Sequence, residues 1–148
     1  MAKDAQYEIL EGRLRSAQLK VTAPRVAVLD AVSKPGHRDA ETVYSIVSTA
    51  LPKTSLQAVY GVLAALVTAG LIRKIEPAGS AALYESRVGD NHHHVACLNC
   101  GSVEDVDCAV GASPCLTPSN TNGFTIQMAE VTFWGLCSAC QSADISAE

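Results

Sequence analysis

Apolar residues in the first part of the chain recur at helical spacing between short breaks. Residues 6–18 follow an amphipathic pattern, and the stretch VTAPRVAVLDAVSK (residues 21–34) places a capping Thr22 just before a proline in its first turn. The segment KPGH (residues 34–37) interrupts the pattern. We therefore expect two helices, separated from the following segment by a break.

Two more helices and a hairpin are predicted further along. A third helix begins with Asp39 as its N-cap and runs until Pro52, and a fourth begins at Thr54 or Ser55 and ends at a glycine. Residues 71–86, LIRKIEPAGSAALYES, contain two β-prone runs around a turn, which is typical of a hairpin. Short helices followed by a two-stranded wing predict a winged helix-turn-helix, whose second helix enters the DNA major groove.

The fourth helix has one apolar face and one face of small or polar residues. The apolar stripe consists of Val59, Val62, Leu63 and Leu66, and the outward face of Gln57, Tyr60, Gly61 and Ala64. Gln57 can hydrogen-bond a base edge, and Ser55 lies at the positive helix end, where a phosphate could be held. The alternative is an ordinary helical bundle in which these side chains only face water.

Charge divides the chain into two unlike parts. Residues 1–80 hold ten Lys/Arg and seven Asp/Glu, a balance of +3, while residues 81–148 hold one and eight, a balance of −7. The two balances sum to the net charge of −4. The positive part is the candidate for binding phosphates.

Composition favours a cytoplasmic protein with folded domains. The chain has 148 residues, of which 48% are hydrophobic, enough to build cores. No apolar run is long enough to cross a bilayer, and the charged N-terminal stretch does not resemble a secretory signal. We therefore expect no membrane association. In a reducing compartment, the six cysteines are more often metal ligands than disulfides.

Two Cys-x-x-Cys motifs predict a structural zinc site. The pairs are Cys97 with Cys100 and Cys137 with Cys140, and 36 residues separate them. A two-residue gap lets both thiolates of a pair face one ion, and four thiolates suit a closed, tetrahedral Zn(II) site. The alternative is two reversible disulfides or a redox pair.

Three consecutive histidines precede the first of these motifs in a stretch with strand-like alternation. Residues of like parity share one face of a strand, so His92 and His94 point away from the side that carries Cys97. They could offer imidazoles to a second ion, while His93 would belong to neither site. The alternative is that the triplet is a solvated strand start or a coincidence.

The chain resembles the ferric uptake regulator family of metal-dependent transcriptional repressors. The stretches that carry the resemblance occur in the family's order and spacing: VTAPRVAVLDAV, AVYGVLAALVTAGLI, LYE, HHHVACLNCG and LCSAC. Within the family, the stretches YESRVGDNHHH and DVDCAVG are most similar to the peroxide-sensing branch, which represses catalase and catalase-peroxidase genes. The resemblance covers nearly the whole chain.

The resemblance implies an α+β homodimer that binds double-stranded operator DNA. It implies a winged-helix DNA-binding domain over residues 1–84, with Tyr60 at the DNA, and a small α/β metal-binding dimerisation domain over residues 85–148. It also implies structural Zn(II) on the four paired cysteines. The regulatory Fe(II) or Mn(II) ligands implied are His37, Glu85, His92, His94 and Asp105. Ser86 is the rival to Glu85 in the alignment.

The function implied is peroxide sensing by a repressor rather than catalysis by an enzyme. Aspartate at position 105 is associated with the peroxide-sensing branch, in which oxidation of His37 or His92 would release the operator of catalase genes and of the regulator's own gene. The alternatives are an iron-level repressor of the same family and a thiol-disulfide switch that uses Cys108 and Cys115. A metalloenzyme is disfavoured because the histidines lack a paired general acid and base.

Overall fold

Residues 2–90, 92–107, 118–127 and 129–145 are described by the computed structural model. The chain divides into two compact units, residues 1–88 and 89–148. The structure confirms the predicted α+β class, with a winged-helix unit first and a small α/β unit second. Within the described ranges, no helix is both long and apolar enough to span a membrane.

Four helices build the N-terminal unit, as predicted: α1 (Ala2–Ser16), α2 (Ala23–Ser33), α3 (Ala40–Ala50) and α4 (Leu56–Thr68). The first was expected over residues 6–18, but it begins earlier and ends at Ser16. Gln18 has a φ of 59°, a left-handed conformation that cannot continue a right-handed helix.

The starts of α2, α3 and α4 are set by the predicted capping residues. The side-chain oxygens of Thr22, Asp39 and Ser55 accept hydrogen bonds from the backbone N–H three residues further on, at 3.4, 2.7 and 3.1 Å. Each bond satisfies one of the N–H groups that a helix start leaves without a partner in the helix. The hydrogen bonds from Thr42 also hold the pKa of Asp39 below its usual value.

One apolar core joins the four helices. On α4, Val59, Leu63 and Leu66 are fully buried, while Val62 is half-buried at the edge of the core. Their partners include Leu10 and Leu14 of α1, Val28, Leu29 and Val32 of α2, and Val43 and Val47 of α3. Because this face of α4 is buried, its opposite face is exposed.

A three-stranded antiparallel sheet completes the N-terminal unit. Its strands β1 (Arg38–Asp39), β2 (Arg73–Ile75) and β3 (Leu83–Glu85) lie in the order β1-β3-β2. The hairpin of β2 and β3 was predicted, whereas the short β1 was not. The expected domain boundary after residue 84 lies inside β3. Glu85 pairs with Arg73 and therefore belongs to the sheet of the N-terminal unit.

In its described residues, the C-terminal unit contains a second three-stranded sheet and one helix. The predicted histidine strand is β4 (His92–Cys97), which pairs antiparallel with β5 (Val103–Asp107) and parallel with β6 (Thr132–Gly135). The order is β5-β4-β6, and helix α5 (Ser138–Ile145) follows β6 directly. The central strand thus carries the histidines at one end and Cys97 at the other.

Candidate metal centres and nucleic-acid interface

The four paired cysteines come together at one end of the second sheet. Their sulfur atoms all lie within 4.8 Å of one another, and the Sγ atoms of Cys100 and Cys137 are 3.8 Å apart. All four are free thiols. Cys97 and Cys140 are buried, whereas Cys100 is exposed. The structure therefore gathers the predicted sulfur set into a cluster of the size that one tetrahedral ion requires.

Parallel pairing of β4 with β6 brings the two cysteine motifs together. In the register, Cys97 lies opposite Gly135, so the chain leaving β6 passes the end of β4. The N–H of Leu98 donates to the carbonyl of Gly135 at 2.8 Å, and the N–H of Cys137 points to Cys97 Sγ at 3.4 Å. The cluster is thus positioned by backbone pairing across about 40 residues of sequence.

The cluster shifts the pKa values of two of its thiols in opposite directions. Backbone N–H groups of Cys100, Cys137 and Asn99 lower the pKa of Cys97 to about 6. Although the Asn99 side chain lowers the pKa of Cys140, hydrogen bonding with the Cys137 thiol and burial raise it to about 11. The lowered pKa of Cys97 favours its thiolate, the form of cysteine that binds metal ions.

The face of β4 opposite to Cys97 carries a nitrogen and oxygen cluster. The Nε2 atoms of His92 and His94 lie 3.6 and 3.4 Å from Oδ1 of Asp105, which is opposite His94 in the β4–β5 register. The two imidazole rings meet edge to face, with centroids 4.9 Å apart. Glu104 is opposite Val95 and so lies on the other face. The strand register thus places Asp105, the carboxylate that the resemblance implied, on the face of β4 that carries His92 and His94.

His92 has a second carboxylate partner that sequence reasoning missed. Asp90 Oδ1 lies 2.8 Å from His92 Nδ1. The only signal in the sequence is an aspartate two residues before a histidine, which is too common to single out. His93, between the two predicted ligands, is buried and lies opposite Val106 in the register. It is directed to the other face of the strand.

His37 and Glu85 form a close pair within the N-terminal unit. The Nε2 atom of His37 lies 2.9 Å from Oε2 of Glu85, and both side chains are almost fully buried. His37 directly precedes β1 and Glu85 ends β3, so the pairing of Arg38 with Tyr84 places them side by side. Glu85, rather than Ser86, therefore supplies the carboxylate that contacts His37.

The predicted DNA-contacting residues all lie on the exposed side of α4 or at its start. Ser55 is the N-cap, and Gln57 and Tyr60 are exposed. About half of the Tyr60 surface, 49%, is accessible. Gly61 and Ala64 are exposed on the same side, so the backbone there has no bulky side chain above it. The structure thus leaves this helix face open, as the apolar pattern predicted.

The proposed thiol switch falls on residues whose structure is not described. Cys108 and Cys115 both lie in the segment 108–117, outside the described ranges. The switch therefore stays a prediction from the sequence.

Comparison with known proteins gives concordant matches. The model of the ferric uptake regulator family matches residues 16–133. The transcriptional regulator FurA of Mycobacterium tuberculosis is 60% identical over 134 residues, which cover 90% of this chain and 91% of FurA. Ferric uptake regulation protein 1 of Mycolicibacterium fortuitum is 54% identical over 123 residues, 83% of this chain and 76% of that protein. The solved structure of the Helicobacter pylori regulator Fur matches with a TM-score of 0.68 at 20% identity, covering 93% of both chains.

Proposed function

Since the chain belongs to the ferric uptake regulator family and is a metal-responsive transcriptional regulator rather than an enzyme, we propose that it is an iron-responsive repressor. In this proposal it acts in the cytoplasm and binds operator DNA as a homodimer when its regulatory site holds a divalent ion. The observation that carries the proposal is the convergence of His92 and His94 on Asp105. This cluster occurs in a chain whose other unit exposes a recognition helix.

We propose that one regulatory ion is bound by the five residues that the family resemblance implies. His37 and Glu85 already form a buried pair in the first unit, and His92, His94 and Asp105 form a cluster in the second. Three imidazole nitrogens and two carboxylates suit Fe(II) or Mn(II). We propose that occupancy of this site controls the spacing of two recognition helices in a dimer, and with it operator binding.

The thiol cluster is proposed to hold a structural Zn(II) ion. Its four sulfurs lie within 4.8 Å of one another, and four cysteine ligands leave no coordination position for a substrate. The H. pylori regulator is described as having three functional metal-binding sites, and we propose two for this chain. The zinc site would stabilise the C-terminal unit, while the histidine site would respond to metal supply.

Exposed apolar side chains on β6 and directly after it support dimerisation through the C-terminal unit. Phe133 and Trp134 of β6 and Leu136 after it are each more than 40% exposed, and β6 lies at the edge of the sheet formed by the described residues. Large aromatic side chains are enriched in protein interfaces, because covering them removes apolar surface from water. We propose that a second copy of the chain covers this edge.

DNA recognition is proposed to use the exposed side of α4. Gln57 is placed to hydrogen-bond a base edge, and Tyr60 presents a large exposed side chain next to it. Ser55 lies at the helix start, where the positive end of the helix dipole favours a phosphate. The lack of bulk at Gly61 would permit close approach to the groove.

Iron supply is the proposed signal because of the relatives' names. The M. fortuitum relative, at 54% identity, is named a ferric uptake regulation protein, and the family carries the same description. These names favour the iron-level interpretation over the peroxide-sensing one that the sequence motifs suggested.

Peroxide sensing is kept as a second candidate on one observation. The carboxylate that lies beside both His92 and His94 is an aspartate, the residue type associated with the peroxide-sensing branch. In that mechanism, His37 and His92 would help to hold an iron ion, which would supply the chemistry for transferring one oxygen atom of hydrogen peroxide to the imidazole of either residue, with release of water. Loss of a ligand would release the operator, and the targets would be catalase or catalase-peroxidase genes and the regulator's own gene.

Operator binding as a function of metal tests the main proposal. An operator is first obtained by selection from random DNA with the Mn(II)-loaded protein, and its affinity is then measured with Mn(II), with Fe(II) under anaerobic conditions, and without a regulatory metal. We expect either ion to strengthen binding at least about ten-fold, the size of a typical allosteric coupling. An Asp105→Ala variant should lose this dependence. Equal affinity of the wild type with and without metal would contradict the proposal.

Adding peroxide then separates the two signals. If the protein responds to iron level, both the Fe(II)-loaded and the Mn(II)-loaded forms should stay bound to the operator after peroxide is added. A peroxide sensor should lose it only in the Fe(II)-loaded form, with oxygen added to the peptide of His37 or His92 in the mass spectrum.

A further inference from the structure

Asp90 lies just ahead of β4 and belongs to neither proposed ligand set. Its Oδ1 atom is 2.8 Å from Nδ1 of His92, whose side chain is completely buried. The other ring nitrogen of His92, Nε2, lies 3.6 Å from Oδ1 of Asp105. His92 is therefore held between two carboxylates, one at each nitrogen of its ring.

The short contact with Asp90 favours a proton on Nδ1 of His92. An ionised carboxylate accepts hydrogen bonds and donates none, so an ionised Asp90 at 2.8 Å would accept the proton of Nδ1. In a neutral imidazole with its proton on Nδ1, the lone pair is on Nε2. That atom faces Asp105, on the side where Nε2 of His94 also converges.

We propose that Asp90 is a positioning residue for the regulatory ion, because it keeps the proton of His92 on Nδ1 and presents the Nε2 lone pair to the metal. This inference rests on the proposed function for the identity of the site. A carboxylate behind a metal-binding histidine also makes the imidazole a stronger donor. Loss of such a partner typically weakens metal binding by about 10–100-fold.

The local structure favours this role for Asp90. The Asp90 side chain is 40% exposed, so its charge remains solvated, while the His92 ring is 0% exposed and cannot turn to water for a replacement partner. Asp90 is only two residues away in sequence, and the antiparallel pairing of β4 with β5 holds His92 from the other side. Removing the Asp90 carboxylate would therefore let the proton of His92 lie on either ring nitrogen, while all the proposed metal ligands remain.

Manganese affinity tests the proposal in the full-length, zinc-loaded protein. Mn(II) is titrated into the wild type, Asp90→Ala and Asp90→Asn. The alanine variant should bind Mn(II) about ten-fold more weakly or worse. The asparagine variant should lose less, because its amide oxygen can still accept the Nδ1 proton. Glu104→Gln removes one negative charge from the opposite face of the same sheet and should change the affinity less than about two-fold, the scale of a screened surface charge.

The position of the proton can be read independently of metal binding. Nitrogen-15 spectra of the histidine rings, recorded without regulatory metal at alkaline pH, identify the protonated nitrogen of His92. We expect it to be Nδ1 in the wild type and to shift towards Nε2 in Asp90→Ala, where the nearest carboxylate is Asp105. A purely structural role for Asp90 would leave this signature unchanged.

The outcomes distinguish this inference from the proposed function. Unchanged Mn(II) affinity in Asp90→Ala, or a wild-type His92 with its proton on Nε2, would overturn the role of Asp90. A wild type that binds no Mn(II) would instead refute the proposed regulatory site, and the nitrogen-15 spectra would still decide where the His92 proton resides.

Discussion

The two units of this chain are stabilised by different kinds of interaction. In the N-terminal unit, a continuous apolar core runs from Leu10 and Leu14 of α1 to Leu63 and Leu66 of α4. In the described part of the C-terminal unit, the buried apolar residues are Ala96, Cys97 and Cys140, and the other buried side chains are the three histidines. We therefore expect apolar burial to stabilise the first unit by itself, and the second unit to need a zinc ion bound by its four thiols.

Removing zinc should show this difference most strongly. Cys97→Ser, or chelation of the wild type, should unfold the C-terminal unit while the helices of the N-terminal unit persist. Structural zinc contributes on the order of 10 kcal/mol in small zinc domains, more than a sheet with so few buried apolar residues can replace. Metal analysis and unfolding followed by circular dichroism and Trp134 fluorescence would measure it. If zinc-free Cys97→Ser kept a native Trp134 fluorescence signal, the C-terminal unit would not depend on zinc for its fold.

A cavity in the apolar core should produce the reverse pattern. Leu63→Ala should destabilise the N-terminal unit by about 2–5 kcal/mol, because the leucine side chain is fully buried. Zinc content should not change. Ile9→Ala is the matched control, since Ile9 lies in the same unit, is 61% exposed, and its loss should cost little. Equal losses of unfolding free energy in the two variants, measured by chemical denaturation, would contradict this prediction.

A substitution on the exposed face of α4 should affect DNA binding without affecting either unit's stability. Gln57→Ala should weaken operator binding by about 1–3 kcal/mol, the usual contribution of a good side-chain contact to a base. Stability and zinc content should match the wild type because Gln57 is exposed. Thr68→Ala, on the exposed end of the same helix, serves as the control, and a similar loss there would contradict the assignment of the DNA-contacting face.

The smallest expected effect concerns the cap of α3. The hydrogen bonds from Thr42 lower the pKa of Asp39 in the folded state, so its ionised form stabilises the N-terminal unit. This stabilisation is present above the unfolded pKa of about 3.9 and is lost as the pH falls through the lower folded pKa. Asp39→Asn keeps a capping oxygen but should remove this part of the acid dependence. The prediction would be wrong if the melting temperatures of the wild type and Asp39→Asn changed identically from neutral pH to about pH 3.

Several features of the candidate site could be predicted because they depend on neighbouring residues. The caps at Thr22, Asp39 and Ser55 bond to backbone only three residues away. The shared face of His92 and His94 follows from the alternation of a strand. Such relations are decided by local backbone geometry, so the order of residue types is enough to predict them.

Other features depend on contacts between distant residues or on common residue types, and the spacing of residues along the chain did not predict them. The strand β1 exists only because Arg38 and Asp39 pair with β3, more than 40 residues later. That pairing places His37 beside Glu85 and makes Glu85 part of the first unit's sheet. The contact between His92 and Asp90 is local, yet its geometry depends on how the ring is held by β5.

By itself, the amino-acid sequence determined the capped helices, the buried and exposed faces of α4, the histidine strand and the two thiol pairs. Each of these follows from residue types at short and regular spacing. The tertiary structure decided which groups meet: Cys97 with Cys137 through parallel strand pairing, Asp105 with both histidines, and Asp90 with His92. These contacts depend on strand register and ring orientation, which are set by the packing of the whole sheet rather than by any short stretch of sequence.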